Sequence, residues 1–300
     1  QAEAYILCSS GSTAQPKIIA TPHLALDAHL QTLVRVMQFD PSSRVMNLLP
    51  FDHADGLLHG ALAVFVAGGT LLRPFRFEVG KVQDVVDEVH RAKATHLTAV
   101  PTMYSLIEAL ADDLEATFSG PNGPLCVSTA GPLDPALRER WAQRTGRQLA
   151  EVYGLTETVV GACFNGPPPL PYHSGSVGRP IDCELSIRNP DGEVCEAGEG
   201  GEIWLRGENV AATFLEMPSP RPACDEEGWL HTGDLAFIRA LGLTCFQIKH
   251  PVVQRASYLC AMHDAFGQRA LLVRAGIVQR IDLVLSGAEH GHTAKGGFDN

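Results

Sequence analysis

The residue types best suited to chemistry begin at Ser9, in the run Ser9-Ser10-Gly11-Ser12-Thr13-Ala14-Gln15-Pro16-Lys17. Hydroxyls, the unhindered amides around Gly11 and a lysine beyond Thr13 offer donors to several phosphate oxygens at once, so the loop suits a polyphosphate. It is not the GxxxxGK[ST] loop, because the second glycine is missing and no hydroxyl follows Lys17, and P-loop nucleotide hydrolysis is disfavoured. A second run, Glu151-Val152-Tyr153-Gly154-Leu155-Thr156-Glu157, offers a ring to stack on a purine, a glycine that admits a ligand to the backbone and a hydroxyl for phosphate. It ends in Glu157, a carboxylate able to hold Mg²⁺ on phosphate oxygens. The third run, Thr232-Gly233-Asp234, closes on an acceptor-only group suited to two ribose hydroxyls. Each run alone also has a plainer structural explanation: a polar surface turn, a buried tyrosine with a capping Thr-Glu pair, and a Gly-Asp turn.

Chemistry of this kind needs strand ends to position it. Residues 5–8 form a short apolar run that stops at the hydroxyl-rich loop, and an amphipathic stretch runs from about Pro22 through Val36, which reads as strand, loop, helix. Residues 45–49, 70–72, 96–100, 125–128 and 149–153 read as further strands, and 57–66, 82–91, 103–114 and 135–145 as helices. Alternation of this kind predicts an α/β fold, a mostly parallel, doubly wound sheet covered on both faces. From Cys183 the pattern changes to short alternating strands with turn signals at residues 189–192 and 198–201, a small antiparallel β subdomain in which Ile203 and Leu205 face inward. The expected division is an α/β nucleotide-binding subdomain over residues 1–170, an antiparallel β subdomain over 171–237, and a tail, 238–300, with no clear order of elements.

The 300-residue chain is long enough for a substantial core, and its 45% hydrophobic and 19% charged residues exclude disorder as the main state. A formal net charge of −11 argues against nucleic acid or an anionic lipid surface as the main partner, so any phosphate must be held by local geometry. The 8 cysteines contain no CxxC pair, which points away from a zinc site or disulfide framework and toward free thiols in a reducing compartment. The most apolar stretch, residues 57–72, is interrupted by His59 and by Gly68-Gly69 and does not read as a membrane span. With no signal-peptide pattern in the first residues, the expected location is the cytoplasm.

The three runs, in this order, resemble the adenylate-forming superfamily of acyl-CoA synthetases, peptide-synthetase adenylation domains and luciferases. The hydroxyl loop is similar to the superfamily's [TS]SG[ST]TGxPK signature, residues 153–157 to YGxTE, and residues 232–234 to TGD. Weaker similarity lies between them: Leu49-Pro50-Phe51-Asp52-His53 with Gly56 to the segment lining the acyl pocket, Val100-Pro101-Thr102 to VP[ST], and Ala130-Gly131-Pro132-Leu133 to the element beside the adenine. Ser176-Val177-Gly178-Arg179-Pro180 and Gly200-Gly201-Glu202-Ile203 resemble two further family segments, and the likeness spans roughly residues 5–238.

The resemblance implies a ligase that adenylates a small carboxylic acid with ATP and passes the acyl group to an acceptor thiol such as coenzyme A. It implies that Ser9, Ser10, Gly11, Ser12, Thr13 and Lys17 cradle the leaving phosphates, Thr156 the α-phosphate and Glu157 the Mg²⁺. Tyr153 with Ala130, Gly131 and Pro132 would bind the adenine and Asp234 the ribose, with Glu151 and Gly154 among the other nucleotide-binding positions. Lys17, Thr156, Glu157 and His53 are the residues it implies for catalysis, with His53, expected on an apolar helix, bordering the acid. Three departures stand out: Ala14 replaces a glycine of the phosphate loop, little chain precedes that loop, and no hinge or lid signature follows Asp234. These departures predict nucleotide or acyl-adenylate binding with weakened turnover. The alternative is a non-catalytic nucleotide- or acyl-adenylate-binding module; a phosphotransferase is disfavoured by the absent P-loop features.

Overall fold

The computed structural model describes residues 2–9, 17–215, 219–238, 271–274 and 277–280. Its elements in chain order are β1 (Glu3–Ser9), β2 (Lys17–Pro22), α1 (His23–Val36), β3 (Arg44–Asn47), α2 (Ala54–Leu57), a π-helical turn (Leu58–Leu62) and α3 (Ala63–Val66). Then follow β4 (Thr70–Leu72), α4 (Val82–Arg91), β5 (His96–Ala99), α5 (Pro101–Leu110), α6 (Leu114–Phe118), β6 (Leu125–Ser128), α7 (Pro135–Thr145) and β7 (Leu149–Tyr153). The later strands are β8 (Cys163–Asn165), β9 (Arg179–Pro180), β10 (Cys183–Arg188), β11 (Gly201–Gly207), β12 (Thr213–Phe214), β13 (Arg221–Pro222) and β14 (Leu230–Ala236). A separate hairpin, β15 (Leu271–Arg274) with β16 (Ile277–Arg280), lies in the tail.

The principal sheet has the order β4-β3-β5-β6-β7-β8-β9, parallel from β4 to β7 and antiparallel at β8 and β9. Period-two alternation sends side chains to both faces: Met46, Leu97, Cys126 and Leu149 join a core under α4, α5 and α7, while Val45, Val127, Ala150 and Val152 join one under α1 and α3. The doubly covered, mostly parallel sheet read from the sequence is therefore present. Helix α4 buries Val82, Val85, Val86 and Val89, the one-face spacing of its sequence. Helix α7 is punctuated at both ends: Asp134 accepts the Ala136 N–H at 2.9 Å, Pro135 opens the first turn, and Gly146 at φ 67° ends it. The helix expected over residues 103–114 breaks at Ala111, whose backbone is extended, because the Asp112 N–H bonds Gln83 Oε1 at 2.9 Å and Asp113 turns left-handed before α6. No helix among the described residues is long and apolar enough to cross a membrane.

One element differs from the strand-loop-helix expected at the start of the chain. Residues 17–22 form a second strand, so β1 and β2 make an antiparallel hairpin, Ser9 facing Lys17, and with β12 and β13 they build a sheet of their own in the order β1-β2-β12-β13. The reason is visible in Ile18, Ile19 and Ala20: the last two are fully buried, Phe214 packs on Ile19, and Pro22 supplies an extended residue ahead of α1. The antiparallel sheet expected downstream of Cys183 is β10-β11-β14, with Ile203 and Leu205 fully buried. Its other face carries Trp204 stacked on His231 at 3.7 Å and flanked by Arg188.

Candidate functional site

Four segments emerge from the C-terminal ends of adjacent parallel strands, the edge where doubly wound sheets place ligands. After β3 the chain runs through residues 48–53 into α2; after β5, Val100-Pro101 opens α5; after β6 come Thr129, Ala130, Gly131 and Pro132; after β7 come Gly154 to Glu157. Within the first turn, Asn47 fixes the backbone by donating from Nδ2 to the Gly56 carbonyl and accepting the Leu49 N–H on Oδ1, both at 2.9 Å. The turns after β3 and β6 are tied together where Thr129 Oγ1 donates to Asp55 Oδ1. Ala130 is exposed and sits at φ 61°, a left-handed conformation that costs an L-residue of order 1 kcal/mol.

The deciding contact joins two runs 81 residues apart. The buried Tyr153 hydroxyl donates to Asp234 Oδ2 at 2.9 Å, linking the last residue of β7 to β14. Burial, reinforced by the Asp234 charge, holds the Tyr153 phenol well above its ordinary range, so it remains a donor. Thr232 braces the same strand, donating to the Ile203 carbonyl and accepting the Asp234 N–H. Tyr153 and Asp234 are thus brought together, with Thr156 and Glu157 on the short 3₁₀ turn that follows β7. Glu157 is half-buried on that turn, a carboxylate of the type that can hold a divalent cation.

Other expected site residues have internal duties. Glu151 is buried; its oxygens accept the Leu133 N–H at 3.2 Å and Arg138 Nη2 at 2.7 Å. Its hold on Leu133 anchors the Ala130 to Pro132 turn. Burial pushes its carboxyl up to about 7 against the opposing pull of Arg138. Gly154 is required by the chain itself: a β-carbon there would run into the Val160 carbonyl, where Val159 and Val160 both take positive φ, 52° and 74°. His53 is not on a helix; it is the exposed, extended residue that precedes α2. Lys17 begins β2, and Ser9 ends β1, while Ser10, Gly11, Ser12, Thr13 and Ala14 lie outside the described residues.

Sequence reasoning missed the polar interior behind this edge. His29 of α1 and His59 of the π-helical turn stack at 6.0 Å, buried to 1% and 3% exposure, with Asp55 Oδ1 3.8 Å from His59 Nδ1. Burial lowers the pKa of both histidines, and of His96, whose Nε2 sits 2.9 Å from the Met37 carbonyl. All three stay neutral when folded yet take up protons near 6.5 when unfolded, so their contribution is present above about pH 6.5 and is lost as pH falls. Acidification therefore costs stability through all three histidines, while Glu151, whose pKa moves the other way, offsets part of that loss. Urea midpoints measured from pH 7.5 to 5.5 should therefore fall, and His29→Gln should flatten the slope; a midpoint that rises on acidification would contradict neutral burial.

With this geometry in place, comparison with known proteins is decisive. Residues 1–215 match the family described as AMP-binding enzyme. The chain belongs to that family. It is 33% identical to sulfoacetate–CoA ligase of Cupriavidus necator over 80% of this chain and 46% of the ligase, and 30% identical to 2-succinylbenzoate–CoA ligase of Bacillus subtilis over 79% and 47%. Among solved structures it is similar to ATP-bound MatB of Rhodopseudomonas palustris, with TM-score 0.72 and 25% identity over 93% of this chain and 50% of that one. It is also similar to the Bacillus subtilis o-succinylbenzoate CoA synthetase in complex with its acyl-adenylate, with TM-score 0.67 and 27% identity over 82% of this chain and 49% of that one. The chain spans about half the length of these relatives.

Proposed function

We propose that this chain is the nucleotide-binding and adenylating core of an ATP-dependent acid–thiol ligase. The observation that supports the reading is the Tyr153–Asp234 bond, which brings the run from Tyr153 to Glu157 and the run from Thr232 to Asp234 together at the strand-end edge of a wound sheet. The relatives' names, CoA ligases acting on small acids, support the same class and favour coenzyme A as the acceptor thiol.

In the first step a carboxylate oxygen of the acid bonds to the α-phosphorus of ATP. The bond from that phosphorus to the bridging oxygen breaks, and pyrophosphate leaves with the electron pair. In the second step the thiol sulfur bonds to the acyl carbon, AMP leaves with its phosphate oxygen, and the thiol proton passes to solvent. Both partners of the first step are anionic, so directed donors carry much of the work. Thr156 would donate to the α-phosphate, Lys17 with the loop from Ser9 to Thr13 to the departing phosphates, and Asp234 would accept from the ribose. Ala130 to Pro132 would border the adenine, with Glu151 acting through Leu133. His53 would border the acid.

A magnesium ion fits the residues present. The described residues contain no cluster of three or more ligating side chains, but Mg²⁺ is commonly held by one or two carboxylates plus substrate phosphates, and Glu157 offers the carboxylate. When bound, the ion would neutralise charge on phosphate oxygens. The test is carboxylate-dependent exchange of labelled pyrophosphate into ATP across a panel of small acids, together with calorimetric titration of ATP and a non-hydrolysable acyl-adenylate mimic. Binding of both with slow, acid-dependent exchange is expected. Binding without exchange for any acid would favour a non-catalytic module, and binding of neither would refute both.

A further inference from the structure

The turn that carries Thr156 and Glu157 runs directly into a strained backbone. Val159 and Val160 take φ of 52° and 74°, a left-handed region that L-residues resist and β-branched ones resist most. Their side chains are 1% and 4% exposed and pack with Ala54 and Leu58, which fixes one side of the segment. On the other side lie the carbonyls of Thr158 and Gly161, at either end of the valine pair, both in buried residues where an unmet acceptor is costly.

One side chain meets both. Asn209 Nδ2 donates to the Thr158 carbonyl at 3.3 Å and to the Gly161 carbonyl at 2.9 Å, so the two N–H bonds of one carboxamide clasp the valine pair from end to end. Asn209 is 4% exposed and lies between β11 and β12. There the Val210 N–H bonds the Gly207 carbonyl at 3.0 Å, and Val210 packs with Ile203 and Leu205 in the core of the antiparallel sheet. In that sheet β11 pairs with β14, the strand of Asp234. The sheet therefore grips the turn at two ends. Asp234 accepts from Tyr153 ahead of it, Asn209 donates to Thr158 and Gly161 behind it, and Thr156 and Glu157 lie between.

We propose that Asn209 is a positioning residue for the adenylation step, holding Thr156 and Glu157 in place toward the α-phosphate and its magnesium ion while touching neither. The role rests on the ligase reading given above. Asn209 belongs to none of the runs whose residue types suggested chemistry; its burial and its two partners single it out. Asn209→Ala removes both donors and frees the strained pair to relax. In the nucleotide-free full chain, hydrogen exchange at the Val160 amide, which bonds the Leu155 carbonyl at 2.9 Å, should quicken about tenfold, while the Val86 and Val89 amides of α4 keep the parent's rates. In acid-dependent exchange of pyrophosphate into ATP, the rate at saturating ATP and Mg²⁺ should fall about 10- to 30-fold with the KM for ATP within about threefold, because the displaced groups act mainly in the transition state. Asn209→Ser, which offers a single hydroxyl donor, should fall between the parent and Asn209→Ala in both measurements, and it carries the test if Asn209→Ala does not fold.

Unchanged exchange at Val160 would show that the clasp does not hold the turn, and faster exchange at Val160 and α4 alike would reduce Asn209 to general support of the fold; either overturns the proposal. So would a loosened turn with the parent's pyrophosphate-exchange rate, or a loss confined to KM. If the parent exchanges pyrophosphate with no acid, the ligase reading itself is at fault and the proposed role falls with it, whereas the amide rates still report whether Asn209 holds the turn.

Discussion

Replacing Arg138 by methionine lowers the stability of the folded chain by about 3–5 kcal/mol near pH 8, the range for breaking a buried ion pair from one side. Arg138 and Glu151 have side chains only 5% and 8% exposed and meet at 2.7 Å, so the substitution strands a carboxylate in the interior. The pH dependence distinguishes this cause from lost packing. Even beside Arg138 the Glu151 carboxyl is raised to about 7, chiefly by burial. A raised acid is destabilising where it must be charged, above its folded pKa, and harmless where it is neutral in both states, below the unfolded value of about 4.3. The deficit of Arg138→Met relative to the parent should therefore shrink between pH 8 and pH 5, and the double replacement Arg138→Met with Glu151→Met should recover most of it. Denaturant unfolding at both pH values measures this; a deficit independent of pH, with no recovery in the double variant, would show that the pair matters only through its volume. Because Glu151 also holds the Leu133 N–H, Arg138→Met should loosen the Ala130 to Pro132 turn and weaken AMP binding as well.

The second large effect concerns Asp234. Asp234→Ala removes the acceptor proposed for the ribose and takes from the buried Tyr153 hydroxyl the carboxylate it now meets at 2.9 Å. Hydrogen bonds to a charged group are worth about 1.5–3 kcal/mol each, so ATP and AMP should bind on the order of 10- to 100-fold more weakly. Tyr153→Phe keeps the ring and removes only the donor that aims the carboxylate, and a loss of roughly five- to tenfold is expected. In the double variant the losses should not add, because both act through one bond. Comparison with 2′-deoxy-ATP supplies the specific readout: the parent should discriminate against it, and Asp234→Ala should not. Equal discrimination in parent and variant would take the ribose away from Asp234.

Much of this protein could be read from its sequence because the relevant forces are local and periodic. The valines of α4, spaced on one face, and the doubly apolar runs of β3, β5, β6 and β7 specify a covered parallel sheet without reference to distant residues. Asp134, Pro135 and Gly146 mark the ends of α7 by capping chemistry alone. The hydroxyl-rich loop, the run from Tyr153 to Glu157 and the run from Thr232 to Asp234 were legible as chemistry because residue type sets donor and acceptor capacity.

What the sequence left open is everything that depends on which segments meet. Residues 17–22 carry no feature that distinguishes a strand of the main sheet from an arm of a separate hairpin; the partner that decides, Phe214, lies almost two hundred residues away. His53 had the motif, but His59 and His29 have the burial, because the turn after β3 carries His53 outward and the π-helical turn faces α1. Gly154 is fixed as glycine by the fold as well, because a β-carbon there would run into the Val160 carbonyl. Composition and spacing, then, determined which groups this chain can offer and the layered sheet that carries them, since propensity and burial period act over a few residues. Only the tertiary structure decided that Tyr153 reaches Asp234, that Glu151 is spent on Arg138, and that Asn209 reaches Thr158 and Gly161, since a hydrogen bond or a buried charge pair exists only once the folded chain has closed the distance.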